Sequence, residues 1–365
     1  MNKTVFIGLV LMPALAVLPS AQAQTYHSLQ PMAGFGTYGN GEMLADGSVP
    51  FLTTGAVQRG LCRNPLTGNL IFVDRAVSGQ SGSVSGAIYV LDGATGAVLN
   101  TLSTNGIDGG SFADYAVAVG PDGVIYVDNV IADSNSGPFK IYRWASEAGQ
   151  DDPTVAFSGA LGTNNLRWGN SMDVRGTGAG TQILVSSGGA EAALFTTSDG
   201  VNFAATDLFM DVTGTLQGSV GFGLGNTFWA KWAGLDLRLL SFDAGAQTAT
   251  TIRDFGGTDM PEMAAPEIAG IDTSNNLLAV VSYHSTNPDE VLLYSIANLD
   301  DLPQLLDAYT LSDINNANSG SPRGYLAIGG GKLYAHNLNN GIFAFNLLSD
   351  ALPAPAILTQ PLSMS

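Results

Sequence analysis

The 365-residue chain has one cysteine, three histidines and four lysines, and charged residues make up only 12% of it. A single cysteine, Cys62, leaves no internal disulfide to form. It follows Leu61 at the start of an apolar stretch, and free cysteine is among the most buried residue types, so Cys62 reads as packing rather than as a nucleophile. His27, His284 and His336 stand far apart, without the HxH or HExxH spacing of a histidine-based metal motif. Scarce lysine and a net charge of −18 remove the positive footprint that nucleic acid or an anionic membrane surface requires. No Gly-x-Ser-x-Gly elbow occurs, and no Ser-x-x-Lys sits at a helix start. Beyond the N-terminus, no apolar run approaches the ~20 residues of a spanning helix. Nor is there a helical periodicity of any length.

What is present begins with a processing segment. Lys3, an apolar stretch over 5–18 and the small-x-small triplet Ala21-Gln22-Ala23 have the order of a secretory signal peptide. Cleavage is expected after Ala23, giving a secreted or periplasmic protein. With no cysteine at that site, a lipid anchor is not expected. The mature chain divides into one domain over 24–350 and a Pro-rich tail over 351–365, expected to be extended.

Glycine is abundant, at 46 residues, as suits a fold of tight turns and short strands. The stretch PLTGNLIFV (65–73) is a turn followed by β-branched and aromatic residues. Its shape returns at GPDGVIYVDN (120–129), GTGAGTQILVSS (176–187), GLGNTFWAKW (223–232), DTSNNLLAVVSY (272–283) and GGGKLYAHN (329–337). Turn residues between two apolar runs are hairpin chemistry. A second hairpin follows each, and Tyr89, Tyr142, Phe195, Tyr294 and Phe343 mark a period of about 50 residues, in the range of propeller repeats. Four short strands per unit predict an all-β fold, a β-propeller of six four-stranded blades. The last unit, 323–350, supplies three strands, so the N-terminal strand near 26–31 is expected to close it, removing an exposed edge. Seven blades are the alternative, if 32–57 hold a degenerate unit.

Propeller ligands meet the loops entering the innermost strands, here Arg59, Asp114, Asn170, Gln217, Glu267 and Arg323. All six are polar and could hold a polar ligand; alternatively, Arg–carboxylate pairs between neighbouring blades close the ring. The stretch LRWGNSMDVRG (166–176) adds Arg167, Trp168, Asp173 and Arg175 to the expected channel mouth. Asp173 and Arg175, two apart, share one face of a strand, as a paired ion or a substrate clamp. The loop at 128–137 offers Asp128, Asn129, Asp133 and Asn135 as hard oxygen donors for calcium, although without the Asp-x-Asp-x-Asp-Gly order.

The segments QRGLCRNPLTGNLIFVDR, YVLDGATGAVLNTL, FKIYRW and LRWGNSMDVRGTGAGTQIL resemble a family of secreted bacterial propellers catalogued as a domain of unknown function. That resemblance implies fold and compartment and brings no activity. GPDGVIYVDN is also similar to NHL-repeat and gluconolactonase-type six-bladed propellers, which hold a divalent metal with a Glu, Asn and Asp. Glu267, Asn170 and Asp114 would be the equivalents. The leading expectation is a non-enzymatic binding module for an extracellular protein or glycan. The alternatives are a metal-dependent hydrolase or lactonase at the channel mouth, and a structural module of a larger secreted assembly.

Overall fold

Why the chain forms short strands is visible in the burial of each repeat. In LIFVD (70–74) every residue is buried, as befits a strand covered on both faces, whereas VLNTL (98–102) is largely exposed. In the computed structural model the described residues are 25–36, 43–45, 47–55, 57–75, 86–149, 151–162, 165–211, 218–231, 236–256, 260, 268–282, 289–311, 316 and 324–349. The signal segment and the tail lie outside them. The described residues contain strands and two short 3-10 turns and no α-helix.

The strands run as follows. β1 (Tyr26–Pro31) and β2 (Met43–Ala45) precede a four-stranded sheet of β3 (Gln58–Arg63), β4 (Leu70–Asp74), β5 (Ala87–Leu91) and β6 (Val98–Leu102). A second comprises β7 (Val117–Val119), β8 (Ile125–Asp128), β9 (Phe139–Trp144) and β10 (Thr154–Gly159). An eight-stranded sheet holds β11 (Trp168–Arg175), β12 (Gln182–Ser187), β13 (Glu191–Thr197) and β14 (Phe203–Met210), then β15 (Ser219–Phe222), β16 (Thr227–Lys231), β17 (Leu237–Asp243) and β18 (Thr248–Phe255). β19 (Ile268–Asp272), β20 (Leu277–Ser282), β21 (Asp289–Ser295) and β22 (Gln304–Leu311) form another. In the last, β23 (Gly324–Gly329), β24 (Lys332–Asn337) and β25 (Gly341–Ser349) are joined by the N-terminal strands.

The fold is all-β and propeller-like. β3, β7, β11, β15, β19 and β23 lie side by side in that order, and β23 returns to β3. The eight-stranded sheet is continuous only because β14 and β18 pair in parallel over two residues, Phe209 with Thr248 and Met210 with Ala249. β1 pairs antiparallel with β25, with Leu29 opposite Leu347, as expected for the strand near 26–31. β2 lines the same edge further along, pairing Met43 with Phe343. The described part of 32–57 adds that one short strand and no sheet of its own.

Apolar side chains between facing sheets supply the cohesion. Ile71, Val73, Ile88 and Val90 pack against Val117, Ile125, Val127 and Tyr142. Leu277, Val281 and Leu293 pack against Leu333, Phe345 and Leu29. At about 25 cal/mol per Å² of apolar surface, such interfaces dominate the favourable side of folding. Leu29 is 8% exposed, and its N–H donates to Asp307 Oδ2 at 2.7 Å across to β22, so β1 is tied to two sheets. Leu29→Asp is expected to lower the unfolding free energy by about 2–4 kcal/mol. Chemical denaturation measures this, and an unchanged midpoint would remove β1 from the cooperative unit.

Candidate functional site

Two irregularities in the innermost strands set the geometry of one end of the ring. Between Arg59 and Leu61 the β3–β4 register shifts, and between Trp168 and Met172 the β11–β12 register shifts. Such bulges re-aim side chains. Gly60 carries a φ of +68° and Gly169 one of +96°. A Cβ on Gly60 would stand 2.6 Å from the Tyr115 carbonyl oxygen, and one on Gly169 would stand 2.2 Å from that of Asn129. Only glycine allows the backbone to pass so close in that conformation. Gly60→Ala is expected to cost about 1–3 kcal/mol through strain and overlap, read as a fall in melting temperature.

The bulges deliver Arg59 and Asn170 to the same neighbourhood. Arg59 is 2% exposed; its Nε donates to the Tyr115 hydroxyl at 2.8 Å and its Nη1 to the Gln58 carbonyl at 2.5 Å. Arg167 donates from Nε to Asn170 Oδ1 at 2.8 Å, and the Tyr325 hydroxyl donates to the Asn170 carbonyl at 2.8 Å. The guanidinium carbons of Arg59, Arg75 and Arg167 lie 5.4, 5.6 and 5.9 Å from the Tyr115 ring centroid, within cation–π range. Arg75 also covers Phe112 at 3.8 Å. Burial, with the charge of Arg59 second, pushes the Arg75 pKa down to about 10, which leaves it charged at neutral pH.

Asp114 is fully buried behind Arg75. Both of its oxygens accept from the Gly86 N–H, at 3.2 and 3.0 Å. Burial raises its pKa to about 7, the charge of Asp74 adds to the rise, and Arg75 partly offsets it. Trp168 is buried beneath the mouth, its ring in the cluster with Phe139 and Phe195. Of the expected mouth residues, Arg59, Asp114, Arg167, Trp168 and Asn170 are therefore brought together. Gln217, Glu267 and Arg323 lie outside the described residues.

Asp173 and Arg175 are placed elsewhere, and the expectation that they belong to the mouth is corrected. β11 runs from Trp168 at the mouth to Arg175 at the far end, and eight residues at about 3.3 Å each carry the last well away. Arg175 donates to Gln182 Oε1 and to the Gly225 carbonyl in the turn between β15 and β16, and covers the Phe222 ring. Asp173 accepts from the N–H groups of Phe222 and Val174. They do share a strand face, as the spacing predicts, with no direct ion pair between them among the described contacts. Asp173 faces a central cavity of about 140 Å³ that also meets Cys62, Arg63, Ser171, Ser219 and Tyr325. Burial pushes the Cys62 thiol up to about 12, where it is no nucleophile, although it is only half-buried.

Three of the four oxygen donors of the 128–137 loop, Asp128, Asn129 and Asp133, are taken up by local partners. Asp128 Oδ1 accepts from the Ala116 N–H at 2.8 Å. Asn129 bonds Lys140 N and the Pro138 carbonyl, and Asp133 caps the turn that contains Asn135. Of the lactonase-like set, Asn170 donates nothing to Asp114 and is held by Arg167, and cationic guanidiniums beside it are unsuited to a divalent metal.

Arg75, Tyr115 and Tyr325 were not among the residues singled out from sequence. Arg75 could have been found from hairpin register: Gln58 pairs with Asp74, so the end of β4 returns to where β3 begins. Tyr115 adjoins Asp114, and Tyr325 lies two residues past Arg323, at equivalent entrances.

Against known proteins the likeness is one of shape. A DUF4623 family protein from Bacteroides eggerthii superposes with a TM-score of 0.55 at 15% identity, over 81% of this chain and 71% of its own. A luciferin-regenerating enzyme superposes with a TM-score of 0.50 at 13% identity, over 82% and 94%. At such identities these similarities speak to the fold alone. No family model and no curated protein sequence matches the chain.

The raised carboxyl of Asp114 has a pH consequence. Between about pH 4 and pH 7 the folded state keeps a proton that the unfolded chain has released, so stability falls as pH rises through that window. Asp114→Asn keeps an acceptor for Gly86 and cannot ionise. It is expected to flatten the fall by about 2–4 kcal/mol, at 1.36 kcal/mol per pKa unit, in denaturation curves at pH 4.5 and 8.

Proposed function

We propose that the chain is an exported six-bladed propeller, released from its signal peptide after Ala23, that binds an extracellular glycan at the mouth of its central channel. The count of six treats the eight-stranded sheet as two blades joined at their rims, each contributing one of the six innermost strands. The N-terminal strand completes the sixth. The propeller domain spans 24–350, with 351–365 as a tail.

The observation that carries the reading is the constellation around Tyr115. Three sheets contribute to it: Arg59 and Arg75 from the first, Tyr115 leading into the second, Arg167 and Asn170 from the eight-stranded one. Asn170 is 1% exposed, and its Nδ2 has no hydrogen-bond partner among the described residues. Buried amides are ordinarily satisfied, and an unused donor beside aromatic and guanidinium groups suits a hydroxyl-rich ligand. The order of Lys3, the apolar stretch over 5–18 and Ala21-Gln22-Ala23 supports the compartment.

A glycan array probed with the mature chain tests this. Wild type is expected to retain a subset of glycans, and Asn170→Asp to lose at least ten-fold in retention, with the melting temperature as a check on folding. Retention unaffected by Asn170→Asp would move the site elsewhere. A stoichiometric divalent ion in the purified protein, with lactone hydrolysis abolished by a chelator, would replace binding with the lactonase reading.

A further inference from the structure

We infer that the group recognised at the channel mouth is a carboxylate on a sugar, so that the ligand is a uronic acid or an oligosaccharide carrying one. This rests on the binding reading above and adds the chemistry of its ligand.

Charge balance at the site comes first. Arg59, Arg75 and Arg167 crowd one aromatic ring, and among the described residues Asp114 and Asp74 stand on the Arg75 side of it, with Asp128 near Tyr325. Among the described residues neither Arg59 nor Arg167 has a carboxylate partner. Arg59 uses two of its five N–H groups and Arg167 one. Gathering like charges in a partly desolvated place is unfavourable unless something of opposite sign completes it. The fit is to an external oxyanion, since a guanidinium fork presents parallel N–H groups to two oxygens.

Hydrogen-bonding capacity then narrows the class. Beside Arg167, the Asn170 amide has an Nδ2 donor with no acceptor among the described residues, although Asn170 is almost fully buried. A bare inorganic anion needs only the cations. A carboxylate next to hydroxyl groups also engages the amide, with the Tyr115 and Phe112 rings as apolar walls. Size is bounded by the whole-chain field. The net charge is −18, and three of the nine arginines stand at this one spot. Beyond a Debye length of about 8 Å at physiological salt, a polyanion meets repulsion from the rest of the molecule. A single uronate inserted at the mouth does not.

Isothermal titration calorimetry on the mature chain with D-glucuronate, D-glucose and sodium sulfate separates these chemistries. Glucuronate is expected to bind, to weaken at least ten-fold on Arg167→Gln, and to weaken further as salt rises. Glucose is expected to give no heat, and sulfate to bind at least ten-fold more weakly than glucuronate. Arg167 is half-exposed, so the variant is expected to fold, with its melting temperature as the control. Equal binding of glucose and glucuronate overturns the inference, as does sulfate binding as tightly as glucuronate. On the array, retention of neutral glycans with uronates ignored overturns it while the binding reading stands. Retention of no glycan, with no heat from glucuronate, overturns both.

Discussion

Face-to-face packing of neighbouring sheets around a closed circuit is the constraint on which everything else depends. Each sheet buries one face on the sheet before it and the other on the sheet after it, so none has a core of its own. The circuit must close for the first and last to be covered. Here it closes through the edge of β25, where the N-terminal strand supplies the missing backbone partners. Because the innermost strands are then fixed side by side, residues more than a hundred positions apart meet without a long loop to bring them. The Tyr325 hydroxyl reaching the Asn170 carbonyl is one such meeting.

Buried polar groups are tolerated in this architecture where the backbone turns inward. Asp128 accepts the Ala116 N–H on one oxygen, and burial holds its carboxyl well above the ordinary range. Asp173 is similar, pushed up to about 6 by burial against the two amide bonds it accepts. His336 is driven the other way, down to about 3, by burial and by the charge of Arg59, and remains an uncharged ring against Phe72.

Much of this was legible beforehand. The hairpins at PLTGNLIFV and GPDGVIYVDN appear where turn chemistry and apolar runs put them, and strand alternation separates buried from exposed strands. The need for an N-terminal strand followed from a final unit one strand short. That Arg59, Asp114 and Asn170 stand at one end of the ring follows from innermost-strand entrances repeating with the unit. What stayed hidden depends on three-dimensional registration. Arg75 lies at the mouth through hairpin pairing rather than motif, and Tyr115 matters because three cations arrive over its ring from different places in the chain. Asp173 and Arg175 were misplaced by reading a single strand as if all of it stood at one end. The contact between β14 and β18 left no trace in sequence, since outer strands carry only an amphipathic pattern.

That contact between outer strands makes one rim joint unlike the others. Elsewhere side chains tie the rims, as where Asn100 donates to the Glu147 and Ala148 carbonyls and the Ser103 hydroxyl to Asp152. The sheets ending in β14 and β18 are stitched at the rim by backbone pairing at Phe209 and Met210, and by Asp211 accepting from the Thr251 N–H and hydroxyl. These two sheets therefore form one continuous hydrogen-bonded plate of eight strands, and Asn170 stands on the β11 edge of that plate.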